Sequence, residues 1–201
     1  MYGSFSGKTQ QPSEEGAVTI SRAAGTMTYP ADVMLVGAMN PCPCGFYGDL
    51  KRECRCSAPQ VQRYRQRISG PLLDRIDIHL EVAAVPYQEL AATQPAESSS
   101  AIRARVLAAR ARQQARFAAT PSIRCNARMT SKALKAYCRL DETGSDLLRM
   151  AMSEFHLSAR AHDRILKVAR TIADLEEADA ISPLHLSEAI QYRTLDRNLW
   201  V

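Results

Sequence analysis

Four of the six cysteines fall within fifteen positions as two Cys-x-Cys pairs, Cys42/Cys44 and Cys54/Cys56. Zn²⁺ in a structural site takes four tetrahedral ligands, and thiolate suits it. Two close pairs on either side of a short loop deliver four ligands, and the intervening GFYGDLKRE has two glycines with which to turn the chain. Cys-x-Cys is tighter than the more familiar Cys-x2-Cys, so the competing reading is four reduced, unrelated thiols. A tetrathiolate centre has no open position for water; it fastens a loop and leaves any chemistry to other residues. Cys125 and Cys138 lie in a helical region and read as ordinary partly buried thiols.

Two other stretches invite a chemical reading. Gly3 to Thr9, GSFSGKT, imitates a phosphate loop, but it has three residues between its glycines instead of four and no buried strand before it. Glu14-Glu15 lacks the apolar strand that would make it a magnesium-holding acidic pair. From Ser98 to Leu140 there is no Asp or Glu, and ten Lys or Arg: Arg103, Arg105, Arg110, Arg112, Arg116, Arg124, Arg128, Lys132, Lys135 and Arg139. That block reads first as a solvated helix face and second as a surface for nucleic-acid phosphates.

The elements that must carry these residues follow from periodicity and punctuation. The chain has 201 residues, 46% hydrophobic and 23% charged, with net charge +5, a globular composition. No apolar run approaches a membrane span and no secretory signal opens the chain, so a cytoplasmic protein without disulfides is expected. Residues 1–15 read as a disordered lead-in. Gly16 to Pro30 reads as a hairpin turning at Ala23-Ala24-Gly25, with Arg22 beside the turn. Val33 to Met39, VMLVGAM, is expected to be a buried strand stopped by Asn40-Pro41, and Ile76 to Val82 an alternating strand. Ala58 to Ser69 looks helical, and Pro86 to Ser100 reads as a linker. Beyond it come helices: one over Ala101 to about Ala118, one capped by Asp141 and reaching Phe155, one capped by Ser158, and a last one opened by Ser182-Pro183. In the Ser158-capped helix Ala161, Ile165, Val168, Ala169, Ile172 and Leu175 share the apolar face. The fold class is α/β plus all-α.

Four stretches, EEGAVTISRAAGTMTYPADVMLVGAMNPCPCG, YRQRISGPLLDRIDIHLEV, LSARAHDRILKVARTIADLE and LSEAIQYRTLDR, together resemble the C-terminal half of magnesium-chelatase-like AAA+ ATPases of the ComM/YifB type. The resemblance runs from about Glu14 to Arg197. It implies a partial AAA+ core with a β-hairpin and zinc loop over 16–86, a linker over 87–100 and a C-terminal helical lid over 101–201. It implies that Asn40 is sensor 1, orienting the attacking water and touching the γ-phosphate. Arg75 is then an arginine finger reaching into a neighbouring subunit's ATP site, Arg160 is sensor 2, and Arg22 on the hairpin meets DNA in a central pore. Read without the resemblance, Asn40 ends a strand at a turn, Asp74-Arg75 is a surface ion pair, Arg160 is a solvated helix residue and Arg22 is an ordinary arginine near a turn.

The implied cofactors are structural Zn²⁺ at Cys42, Cys44, Cys54 and Cys56, with ATP and Mg²⁺ in the full-length family protein. The implied partners are branched or single-stranded DNA and further copies in a homo-oligomeric ring, a hexamer, with no membrane. Walker A and B motifs are not found in the chain, so it is expected to be a truncated product or fragment, inactive alone. Two other function classes stay open: a chelatase-like motor acting on a protein or metallocofactor, and a stand-alone zinc and nucleic-acid binding module.

Overall fold

The computed structural model describes residues 16–22, 25–49, 51–83, 85 and 96–193. The expected lead-in 1–15, the hairpin turn 23–24 and most of the expected linker lie outside the described residues. The chain divides into two compact units, the first ending at Ile76 and the second beginning at Asp77. The fold is mixed α/β with helices dominant: one two-stranded antiparallel sheet and seven helices among the described residues.

In the first unit β1 (Ala17–Arg22) pairs with β2 (Gly25–Pro30), in a register that sets Val18 opposite Tyr29, Ile20 opposite Met27 and Arg22 opposite Gly25. Alternation gives this ribbon an apolar face from those first two pairs. Its polar face is stitched by Thr19 to Thr28 at 3.0 Å and by the Thr26 hydroxyl donating to Ser21 at 3.1 Å. Two helices follow. α1 (Ala58–Arg65) starts at a capping box between Ser57 and Gln60, and α2 (Gly70–Leu73) is a single turn. Cys42, Val61 and Leu73 are this unit's buried apolar side chains among the described residues.

Both expected strands that would extend the sheet are absent. Residues 31–40 have no regular secondary structure, and Met34 and Val36 are 90% and 83% exposed. Residues 76–83 are likewise irregular, with Ile78, Leu80 and Val82 exposed. The reason is physical: a strand is stabilised by neighbours on its edges and cover on its faces. Among the described residues β1 and β2 pair only with each other.

The second unit is helical. α3 (Ser99–Arg116), α4 (Ser131–Tyr137), α5 (Glu142–Glu154), α6 (Ala159–Leu175) and α7 (Pro183–Gln191) are joined by short turns, with a 3₁₀ turn at Asn126–Arg128. Ser98, Thr130, Asp141, Ser158 and Ser182 each accept a hydrogen bond from a first-turn amide, which is why these helices begin where they do. α3 opens two residues before the expected Ala101. α6 runs through the middle of the core: Ala161, Ile165, Leu166, Ala169, Ile172 and Ala173 are buried. Of the expected face, Val168 is only partly buried and Leu175 is exposed, because Arg170 and Asp174 take the inward positions of the last turns. No helix among the described residues is long and apolar enough to cross a membrane.

Candidate metal centre

Cys42, Cys44, Cys54 and Cys56 converge in the first unit, with all four sulfurs within 4.8 Å of one another. Cys42 to Cys44 is 3.3 Å, Cys42 to Cys54 3.7 Å and Cys44 to Cys54 3.6 Å. A tetrahedron with metal–sulfur bonds of ~2.3 Å has edges of about 3.8 Å. A disulfide needs roughly 2.05 Å between sulfurs, and all six cysteines are free. The separations match a shared cation.

The local sequence builds this. After Cys42 the chain reverses so that the Gly45 amide donates to the Cys42 carbonyl at 3.0 Å, with Gly45 at φ +83°. Gly48 turns it again at φ +83°, a left-handed conformation that glycine alone adopts cheaply. Asp49 then accepts from the Lys51 and Arg52 amides at 2.7 and 3.1 Å, aiming the chain toward Cys54. The Arg65 guanidinium ties α1 to the loop: its Nε donates to the Pro41 carbonyl at 3.3 Å and its plane lies 4.6 Å from the centre of the Tyr47 ring.

The electrostatics of the four thiols also ask for a cation. The Phe46 amide draws the Cys44 thiol down to about 6, with the Arg55 amide assisting. Burial and the neighbouring Cys44 would raise Cys42, yet the Tyr47 amide and Cys54 bring it below the ordinary thiol value. The Cys56 amide favours the Cys54 thiolate, but burial and its sulfur neighbours outweigh it and push that thiol up to about 12. Burial, followed by the same neighbours, raises Cys56. Four sulfurs this close cannot all be negative without a cation among them, and a divalent metal removes that conflict. Backbone amides aimed at thiolate sulfur are the outer-shell partners such a site uses.

Asn40 is exposed, and its side-chain amide lies beside the turn: a Cβ on Gly45 would sit 3.9 Å from it. Arg75 follows α2, half-buried, and donates to the Pro71 carbonyl at 2.7 Å. Arg22 ends β1, exposed and opposite Gly25. Arg160 lies in the second unit, exposed in the first turn of α6. The four cysteines and Asn40 are thus gathered in one loop, whereas Arg22, Arg75 and Arg160 occupy separate elements.

Eight of the ten basic residues of the block, Arg103, Arg105, Arg110, Arg124, Arg128, Lys132, Lys135 and Arg139, are exposed as a solvated face would be, and Arg112 and Arg116 are partly buried. Arg105 pairs with Glu97 and Arg112 with Asp179. Arg116 reaches the carboxylate of Asp174, which is 0% exposed and also accepts from Asn126 Nδ2 at 2.8 Å and pairs with Arg170 at 3.2 Å. Burial alone would raise the Asp174 carboxyl, but Arg116 and Asn126 hold it below its usual value. A sequence signal for it existed: an Asp one helical turn after an Arg, both on the apolar side of α6.

The magnesium chelatase subunit ChlI family model matches residues 6–90, and the ChlI C-terminal model matches residues 96–193. Among curated proteins the chain is 41% identical over 191 residues to the uncharacterized protein YifB of Escherichia coli. It is 40% identical over 191 residues to the competence protein ComM of Haemophilus influenzae, and each alignment covers 94% of this chain and 36% of the relative. A Mycobacterium tuberculosis protein is 33% identical over 182 residues, covering 90% of this chain and 35% of its own length. The chain therefore spans about 36% of the length of the first two relatives.

Proposed function

Since the chain belongs to the magnesium chelatase family, we propose that it forms the sensor- and lid-bearing part of an ATP-driven ring motor, a hexamer acting on branched or single-stranded DNA in the cytoplasm. The DNA reading is supported by similarity to a protein named for competence. The six free thiols suit a reducing compartment.

One observation carries the mechanism: Asn40 stands two residues before Cys42 with its amide against Gly45, on the loop the four cysteines gather. Zn²⁺ bound to those cysteines supplies a rigid cross-link and no reactive position. Asn40 then presents its amide from a fixed loop to the attacking water and the γ-phosphate. Arg75 acts in trans on the neighbouring subunit's ATP, neutralising charge that develops on the transferred phosphoryl group. Arg160 touches the nucleotide from the lid, and Arg22 faces the DNA backbone.

The test is Arg75→Ala in the ATPase ring that contains this chain. ATP binding should persist while hydrolysis falls by roughly 10³ or more. Mixing it with subunits lacking the phosphate-loop lysine should restore part of the activity, and Arg75→Lys should rescue poorly. Normal hydrolysis with a lowered melting temperature would reduce Arg75 to a structural residue. The family's name favours a second reading, a motor acting on a protein or metallocofactor. ATPase activity indifferent to DNA would select it.

A further inference from the structure

Against the metal centre, with Cys44 and Cys56 in its wall, lies a groove of about 480 Å³ whose lining also includes Arg55, Gln60, Arg63, Tyr64 and Arg67, and no Asp or Glu. Gln60, Arg63, Tyr64 and Arg67 recur at helical spacing along α1 and the turn that ends it. That spacing puts them on one face of the helix, where two guanidinium groups flank an aromatic ring. Arg55 faces them from the metal loop, between two of the cysteines. All three arginines are exposed, and none pairs with a carboxylate among the described residues. Arg52 and Arg65, by contrast, are engaged with the rings of Phe46 and Tyr47.

We propose that this groove binds the phosphodiester backbone of single-stranded nucleic acid, with Arg55, Arg63 and Arg67 on successive phosphates and Tyr64 stacking on a base. Cations tracking a backbone beside an aromatic platform are the recurrent means of holding single strands. The groove's small volume suits an extended strand and not the broad convex face of a duplex. A zinc tetrathiolate carries two net negative charges, so part of this cationic surface balances the metal. Three unpaired guanidinium groups exceed that demand. The proposal rests on the DNA reading above and adds this groove as a contact separate from the one proposed for Arg22 on the hairpin.

The experiment is fluorescence anisotropy with labelled oligothymidine over a salt series, using chain purified with zinc and with no nucleotide present. Replacing Arg55, Arg63 and Arg67 together by Ala should weaken binding by roughly ten- to a hundredfold. It should also flatten the salt dependence by about 2, at ~0.7 for each phosphate no longer neutralised. Tyr64→Leu should weaken binding while leaving the salt slope unchanged. The triple Arg→Lys variant, which keeps the charge, should bind within a few-fold of wild type, and zinc content should stay the same throughout. Unchanged affinity and slope in the triple Ala variant would overturn the groove and leave the DNA reading standing. No binding by the wild-type chain would overturn the groove, while DNA-stimulated hydrolysis by the ring would still report separately on the motor. Zinc loss from the triple Ala variant with binding retained by the Lys variant would be followed by Arg63→Ala alone, where an unchanged slope overturns the proposal. Displacement of the oligonucleotide by millimolar MgATP, or tighter binding of a duplex, would also overturn it.

Discussion

At the scale of single residues the chain holds two polar centres of opposite character. The four cysteines repel one another when ionised and need a cation between them; Asp174 is already supplied with cations by Arg116 and Arg170. For the first, elemental analysis should find one Zn²⁺ per chain, and Cys42→Ser should lose most of it, because the most buried of the four sulfurs is removed. Retained stoichiometric zinc in that variant would show that the cluster is only four neighbouring thiols. For the second, Asp174→Ala should destabilise the helical unit by about 3–5 kcal/mol, since the buried Arg170 and the partly buried Arg116 lose their counter-charge. The sign of its pH dependence is fixed by the direction of the shift. The folded carboxyl titrates below its unfolded value, so its contribution is complete above the ordinary carboxylate range. It is lost as pH falls through the folded pKa. Asp174→Asn should therefore flatten the acid limb of a melting-temperature profile, which wild type keeps steep.

Among the elements, those whose ends are set by local chemistry were legible in the sequence, and those that depend on distant partners were not. Ser158, Asp141 and Ser182-Pro183 announced three helices because a cap is satisfied within one turn. The hairpin itself was legible for the same reason, its inner partners being nine residues apart or fewer, but its register was not: Gly25, expected in the turn, opens β2 opposite Arg22. Val33 to Met39 has a strand's composition, but a strand is completed by neighbours, and composition does not say whether they arrive. Arg116 and Asp174 lie 58 positions apart, so their pairing leaves only the faint trace of two charges on an apolar face. The helix ends carry a prediction. α6 closes with Glu177 at φ +57° and the Ala178 amide donating to the Ala173 carbonyl at 2.8 Å, a turn that favours glycine at Glu177. Its carboxylate also faces the negative end of the helix. Glu177→Gly should raise stability by ~1 kcal/mol; a lower thermal midpoint would refute that.

As a whole molecule the chain is two units, each stabilised by different means. The second has an extended apolar core, whereas the first buries little beyond Cys42, Val61 and Leu73 among its described residues. A unit with so small a core relies on a cross-link, as small metal-bound domains do. Removing the metal with a chelator should abolish amide hydrogen-exchange protection across residues 41–73 and leave 99–193 protected; loss in both together would contradict this division. Zinc in excess should raise the first unit's transition alone, by mass action. The uncovered segment from Val33 to Met39 has a further consequence, for how the chain behaves in a crowded solution. Seven uncharged residues without a proline have the composition from which fibrils nucleate, and here they are bordered by Pro30 and Asp32 on one side and Pro41 on the other. Prolines and a charge at those borders are gatekeepers: they let the stretch stay sticky enough for its proper neighbour while keeping it from templating copies of itself.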